Sequence, residues 1–249
     1  QMASHVAHGA LIENIIIASS AFGYRARYNL FPDEKDMNLV AAIYLEKNAS
    51  VQDPLYPYIQ TRCTNRKPYN TAPLSADQSV ALMEVEGRID GVKLMLIQDW
   101  EKIDILARAG SVNEQVMLGN QFLHNFFFTH VNWTQEEEER KRVGFYIKTL
   151  ELPPPAQILF KIFRYWPVMR ILKVLGFPKI AAKENAKIYA ACAAMGAIIV
   201  NRAMPQDFMT AGMMMQRIWL QATQMSLSIQ PLTGVLFFMQ GIQAGHTEK

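Results

Sequence analysis

Two apolar helical stretches of one pattern lie at opposite ends of this sequence, and they constrain the fold more than any other feature. Gly9-Ala-Leu-Ile-Glu13-Asn14-Ile15-Ile-Ile17 aligns with Gly212-Met-Met-Met-Gln216-Arg217-Ile218-Trp-Leu220 at an offset of 203 residues. In each, a glycine leads three apolar residues, a Glu or Gln, a second polar residue and an apolar run. A helix that is apolar on most sides is a buried helix. Two of them, each followed by a turn and a β-rich stretch, predict two related modules packed about a shared interface. Gln1 falls just before the first copy, so the reading expects further sequence upstream, on the order of a hundred residues by domain size.

Composition agrees with a globular protein. Of 249 residues, 50% are apolar, and 25 Lys and Arg face 22 Asp and Glu. A net charge of +3 with scattered bases argues against nucleic acid as a partner. Cys63 and Cys192 are too few and too far apart for a disulfide scaffold or a Cys-pair zinc site. That usage fits a reducing, cytoplasmic setting. Gln1 to Ser20 lacks the basic start of a secretory signal. Asn48-Ala49-Ser50 and Asn132-Trp133-Thr134 match the glycosylation triplet, which arises readily by chance.

The apolar segment from Ala156 to Phe177 is interrupted by Lys161, Arg164, Arg170, Lys173 and Pro167. Each such charge costs about 2.5–3.5 kcal/mol at a bilayer centre, which excludes a membrane-spanning helix. Six bases and no acid lie between Leu152 and Lys183. That leaves an interfacial helix, a cover over a cleft or ordinary packing. Glu136 to Arg142 reads as a solvated helix with acids four residues before bases.

Helices are expected over Ser4–Phe22, from Ser75 to Gly87 or Gly91, from Asp99 onward to about Arg142, and over Pro205–Met225. Strands are expected at Asn38–Leu45, Gly91–Gln98, Gly144–Leu152 and Gly234–Met239, while Ile188–Val200 fits either state. Such interleaving predicts an α+β (α/β-like) sheet protein.

The loop Arg62-Cys63-Thr64-Asn65-Arg66-Lys67-Pro68-Tyr69 carries three cations and two short polar side chains. Arginine forks with Thr and Asn donors suit a phosphate; a basic surface loop is the plainer alternative. His5 and His8 stand three apart on a helix but lack a third ligand, and His124 and His130 offer no better set. Cys63 among cations has no resolving partner. The methionines at 209, 213, 214 and 215 read as packing between the two module helices.

The Arg62-x-Thr64-x-Arg66 start, the buried helix, Gly144-Phe-Tyr-Ile-Lys-Thr-Leu-Glu-Leu-Pro153, Ala211 to Leu220, and Ser226-Leu-Ser-Ile-Gln-Pro231-Leu-Thr-Gly234 together resemble the FMN-dependent nitroreductase-like superfamily. The likeness is to its two-module, Acg-type branch, in which one chain imitates a homodimer. The resemblance implies a mixed sheet flanked by helices and an intramolecular pseudo-dimer, with a homodimer also open. On it, residues 1–53 end a first module, 54–249 form a second, and 120–187 form an insert or lid. It implies that Arg62, Thr64, Asn65 and Arg66 contact the FMN phosphate and the flavin's polar edge. Pro231, Leu232, Thr233 and Gly234 would bring backbone to the ring, and Arg217 stands in for the basic residue the family carries near its C-terminus, where only His246 and Lys249 are found. The implied activity is NAD(P)H-dependent reduction of a small-molecule acceptor, a nitro compound or quinone, with no catalytic acid, base or nucleophile from the protein and no metal. The alternative is a non-catalytic protein that holds flavin under a lid.

Overall fold

A computed structural model describes residues 2–48, 51–243 and 245. His246, Lys249 and two residues of the first glycosylation triplet, Ala49 and Ser50, lie outside the described residues, as does Gln1. Along the chain run α1 (Met2–Ala21), β1 (Tyr24–Leu30), β2 (Ala41–Lys47), α2 (Ala76–Met83), β3 (Val92–Ile97), α3 (Trp100–Gly119), α4 (Gln121–Thr129) and β4 (Val131–Asn132). There follow α5 (Gln135–Lys141), β5 (Phe145–Tyr146), α6 (Pro154–Phe163), α7 (Trp166–Val174), α8 (Phe177–Ala190), β6 (Met195–Val200), α9 (Pro205–Gln224) and α10 (Gly234–Gln243). The protein is α+β, and among the described residues its strands pair as three two-stranded ladders: β1–β2 and β3–β6 antiparallel, β4–β5 parallel. No helix among the described residues is long and apolar enough to cross a membrane.

The chain divides into two compact units. The first takes residues 1–65, 73–97 and 194–230; the second takes 66–72, 98–193 and 231–249.

In the first unit α1 packs along α9. Gly9, Ile12, Glu13 and Ile17 form the buried stripe of α1 at helical spacing. Met209, Met213 and Met214 are almost fully buried beside Ile12, Phe31 and Val92, so these three methionines are core, while Met215 is only partly buried. Flexible, unbranched methionines fill the irregular space between closely crossing helices.

The two helices meet with a symmetry that follows the 203-residue offset. A side chain on Gly9 would meet the Met209 carbonyl oxygen, and one on Gly212 would meet that of Val6. Met209 and Val6 are themselves equivalent positions. Gln216 Nε2 donates to Asn14 Oδ1 at 2.8 Å, and Arg217 Nε donates to Glu13 Oε1. Exchanging 13 for 216 and 217 for 14 maps one contact onto the other. Both helices also end alike, with positive φ at the equivalent residues Gly23 (74°) and Ser226 (58°). Each of these accepts no helical geometry but donates its N–H three residues back, Gly23 to Ser20 and Ser226 to Thr223.

In the second unit α3 packs along α8, and an aromatic cluster gathers Leu118, Phe128, Val131, Ile147 and Met169 with Phe160, Phe163 and Trp133 around them. His124 is fully buried there, with Nε2 2.8 Å from the Phe163 carbonyl.

The capping signals at Ser75 and Asp99 hold: Ser75 forms a capping box with Gln78, and Asp99 accepts from the Lys102 N–H. Three expectations are corrected. Gly234–Met239 opens the helix α10 rather than forming a strand, because a short apolar run carries no periodicity to separate the two. Gly144–Leu152 is a strand only at Phe145 and Tyr146; Ile147–Leu150 turns as a 3₁₀ helix and Glu151 has φ of 53°. The run from Glu136 to Arg142 is not purely a surface helix. Glu138 accepts from the buried Asn132 amide and Glu137 from the Trp133 N–H, at 2.6 and 2.7 Å. Ile188–Val200 proves to be the end of α8 followed by β6.

Candidate functional site

The loop that begins at Arg62 leaves the turn at Tyr56–Tyr58 and is pinned at once. Thr64 bridges Ile229 in parallel, and the Asn65 N–H donates to the Ile229 carbonyl at 3.2 Å. The sequence candidates Arg62, Thr64 and Asn65 are thereby joined to the segment that leaves α9. Arg62 lays its guanidinium over the Trp219 ring, 4.2 Å from the centroid, and its Nε is buried without a hydrogen-bond partner among the described residues. Burial pulls its pKa below the usual arginine value. Trp219 itself is 5% exposed, so this cation sits on a fixed aromatic platform. Cys63, next in sequence, is exposed.

Arg66 belongs to the second unit. Its backbone N–H donates to Glu151 Oε2 at 2.8 Å and its guanidinium to the Thr149 carbonyl at 2.9 Å. Lys67 stands 3.6 Å from the other Glu151 oxygen. The left-handed turn at Glu151 is thus tied to the basic loop, a link across 85 residues that no local pattern announces.

Arg217, on α9, is held between two carboxylates, Glu13 and Asp53, the latter at 3.1 Å. Glu13 is 2% exposed. Burial pushes its carboxyl above the usual range, against the pull of Arg217. Burial alone would lower Arg217, but Glu13 and then Asp53 outweigh it and hold it above its ordinary value. Asp53 also accepts from the Leu55 N–H, and its own N–H donates to Ser20 Oγ. The cluster carries two acids against one base, and it locks α1, α9 and the segment before the Tyr56 turn together. Sequence reasoning passed over Glu13 and Asp53. The available signal was a lone acid in an apolar helix opposite a lone base in its repeat.

Pro231, Leu232, Thr233 and Gly234 lie in the second unit at the start of α10. Gly234 sits against the Asn113 side chain, where a Cβ would come within 2.5 Å of Oδ1, and a Cβ on Gly110 would stand 3.7 Å from the Leu232 side chain. The turn is therefore seated on α3. One residue on from Asn113, Glu114 accepts from the Tyr189 hydroxyl at 2.9 Å, while its Oε2 is buried with no hydrogen-bond partner among the described residues. Burial raises the Glu114 carboxyl, and burial with the neighbouring Glu114 raises Tyr189 far above the usual phenol. Neither residue stands out in the sequence.

The nine candidate residues thus fall in both units: Arg62, Thr64, Asn65 and Arg217 in the first, Arg66 and Pro231 to Gly234 in the second. Among the described residues no group of three or more His, Cys, Asp and Glu is arranged for a metal. His5 stands edge-on to Phe31, and His130 bonds the Phe126 carbonyl. Asn132, of the second glycosylation triplet, is fully buried with its amide donating to Glu138 and the Val143 carbonyl, which removes it as a surface acceptor.

No family model matches the chain. It is 23% identical over 245 residues to the uncharacterized protein MT1398 of Mycobacterium tuberculosis (strain CDC 1551 / Oshkosh), a match that covers 96% of this chain. The chain spans about a third of the length of that curated relative, 33%.

Proposed function

We propose that this chain is an FMN-binding oxidoreductase of the nitroreductase type, with two related modules forming a pseudo-dimer about α1 and α9. The observation that carries the reading is the reciprocal contact of those helices under the 203-residue offset, Glu13 with Arg217 and Gln216 with Asn14. A one-chain imitation of a homodimer calls for that kind of contact. The Arg62 site suits the cofactor's phosphate, because its half-buried guanidinium has a buried Nε with no hydrogen-bond partner, and no carboxylate pairs with it, among the described residues.

On this reading Arg62 holds phosphate charge, Thr64 and Asn65 offer their side chains to it, and Arg66 stiffens the loop through Thr149 and Glu151. Arg217, already neutralised, ties the modules together instead of binding phosphate. Pro231 to Gly234, which the resemblance assigns to the flavin ring, lie against α3 within the second unit. A bound flavin supplies the two-electron chemistry, taken from NAD(P)H and passed to a nitro compound or quinone. The setting is cytoplasmic.

A second reading is a protein that holds flavin without turnover under a lid formed by residues 120–187. It is favoured by the aromatic core which that segment builds for itself. The visible spectrum of the purified chain tests both: flavin absorbance is expected, with most of it lost in Arg62→Ala. A colourless protein that takes up no added FMN overturns both readings. NADPH consumption with a quinone or nitroaromatic acceptor is expected for the first and absent for the second.

A further inference from the structure

Helices α6 and α7 are apolar on two faces, and only one of those faces is used by the fold. Inward, α7 buries Met169 completely, with Leu172 and Trp166 beside it, and α6 turns Phe160 and Phe163 to the same aromatic core. Outward, α7 and the Leu175 that caps it present Ile171, Val174 and Leu175 at 63%, 85% and 71% exposure. Spacings of three and four put these on one side of the helix. Ile158, Leu159 and Ile162 do the same on α6. A helix that serves only a protein core keeps polar residues on its outer face.

Bases border these outer faces. Arg170 and Lys173 run beside the apolar side of α7, and Lys161 beside that of α6. Among the described residues none of the six bases between Leu152 and Lys183 is in an ion pair, and no acid lies in that span. Tyr165, between the two helices, is half exposed and carries Arg164 on its ring at 4.7 Å. Exposed aliphatic side chains, unpaired cations and a Tyr at the margin are the parts of a helix that lies in a membrane interface.

We propose that α6 and α7 dock this protein on the surface of an anionic bilayer, their aliphatic residues entering to headgroup depth and their bases meeting lipid phosphates and carboxylates. Charge decides for this occupant. A second copy docked face to face would bring together two basic segments that carry no acid between Leu152 and Lys183. Neutral lipid would leave the unpaired cations unused.

The test is sedimentation of the purified chain with phosphatidylcholine vesicles, with and without phosphatidylserine, at low and high salt. Binding is expected only with phosphatidylserine, and weakened by salt. Arg170→Glu with Lys173→Glu should lower partitioning at least about tenfold, and Ile171→Asp with Val174→Asp should lower it comparably. Lys35→Glu with Lys102→Glu, the same charge change elsewhere, should leave it nearly unchanged. Circular dichroism melts of the variants confirm that these exposed changes leave the fold intact. Absence of binding, equal binding to neutral vesicles, or indifference to the α7 changes overturns the proposal. So does a concentration-dependent dimer that Arg170→Glu with Lys173→Glu dissolves in the absence of vesicle binding.

Discussion

Gly9 and Gly212 each rest on a carbonyl of the other's helix: a Cβ on Gly9 would stand 1.9 Å from the Met209 oxygen, and one on Gly212 would stand 2.0 Å from the Val6 oxygen. The obstacles are backbone atoms, which cannot swing aside as a side chain can. Gly9→Ala and Gly212→Ala should therefore each force α1 and α9 apart and lower unfolding stability by about 1–3 kcal/mol, the usual cost of overpacking. Because both act on one helix pair, the double variant should lose less than the sum of the two. Urea melts of the three variants measure this, and a neutral Gly9→Ala would refute the close crossing.

The Glu13–Arg217 contact predicts a strong coupling. Removing the carboxylate in Glu13→Ala leaves Arg217 buried with Asp53 as its remaining acid partner. Breaking a buried pair from one side costs about 3–5 kcal/mol. Glu13→Ala with Arg217→Ala should cost clearly less than the two single changes added, and a double-mutant cycle reads the difference.

Glu114 predicts a pH dependence. Burial raises its pKa in the folded protein above its unfolded value, so the folded state binds the proton more tightly. Its contribution to stability is fully present below the ordinary glutamate pKa and is lost as pH rises through the raised folded value. Glu114→Gln keeps an acceptor for the Tyr189 hydroxyl and removes the charge. Stability curves of the two proteins should therefore converge at acid pH, and Glu114→Gln should gain on the native protein as pH rises. Parallel curves across that range would refute it.

Asn132 predicts that the acidic run is anchored. Its amide donates to Glu138 Oε2 and the Val143 carbonyl from a fully buried position. Asn132→Ala should cost about 1–3 kcal/mol through the acceptors it strands. Glu139→Ala, whose partner is the exposed Gln135, should be nearly silent in the same melt.

Much of the local structure was legible in the sequence. Ser75 and Asp99 cap helices because a short side-chain oxygen at that position accepts from a first-turn N–H that has no acceptor within the helix. Gly23 ends α1 because that position takes a left-handed φ. The apolar run after Gly234 misled, since five such residues fit a strand or one side of a helix equally well. Strand β1, Tyr24–Leu30, alternates Tyr, Ala, Tyr and Leu with Arg25, Arg27 and Asn29, a period-two signal that the strands expected from the sequence did not include, and it pairs antiparallel with β2.

The candidate site divides in the same way. Arg62, Thr64 and Asn65 are legible as a phosphate-suited cluster because Arg, Thr and Asn donors crowd one loop. That Arg62 rests on Trp219 is a contact between residues 157 positions apart. The repeat itself was written in the sequence, since the small, apolar and polar residues of α1 recur in α9 with one spacing. What only tertiary structure decided is that the two copies meet each other reciprocally, Gly9 against Met209 and Glu13 against Arg217. A sequence records which faces are apolar and where a charge interrupts them. The energy of a buried charge depends on the partner brought beside it, and that partner is chosen by the packing of the whole chain.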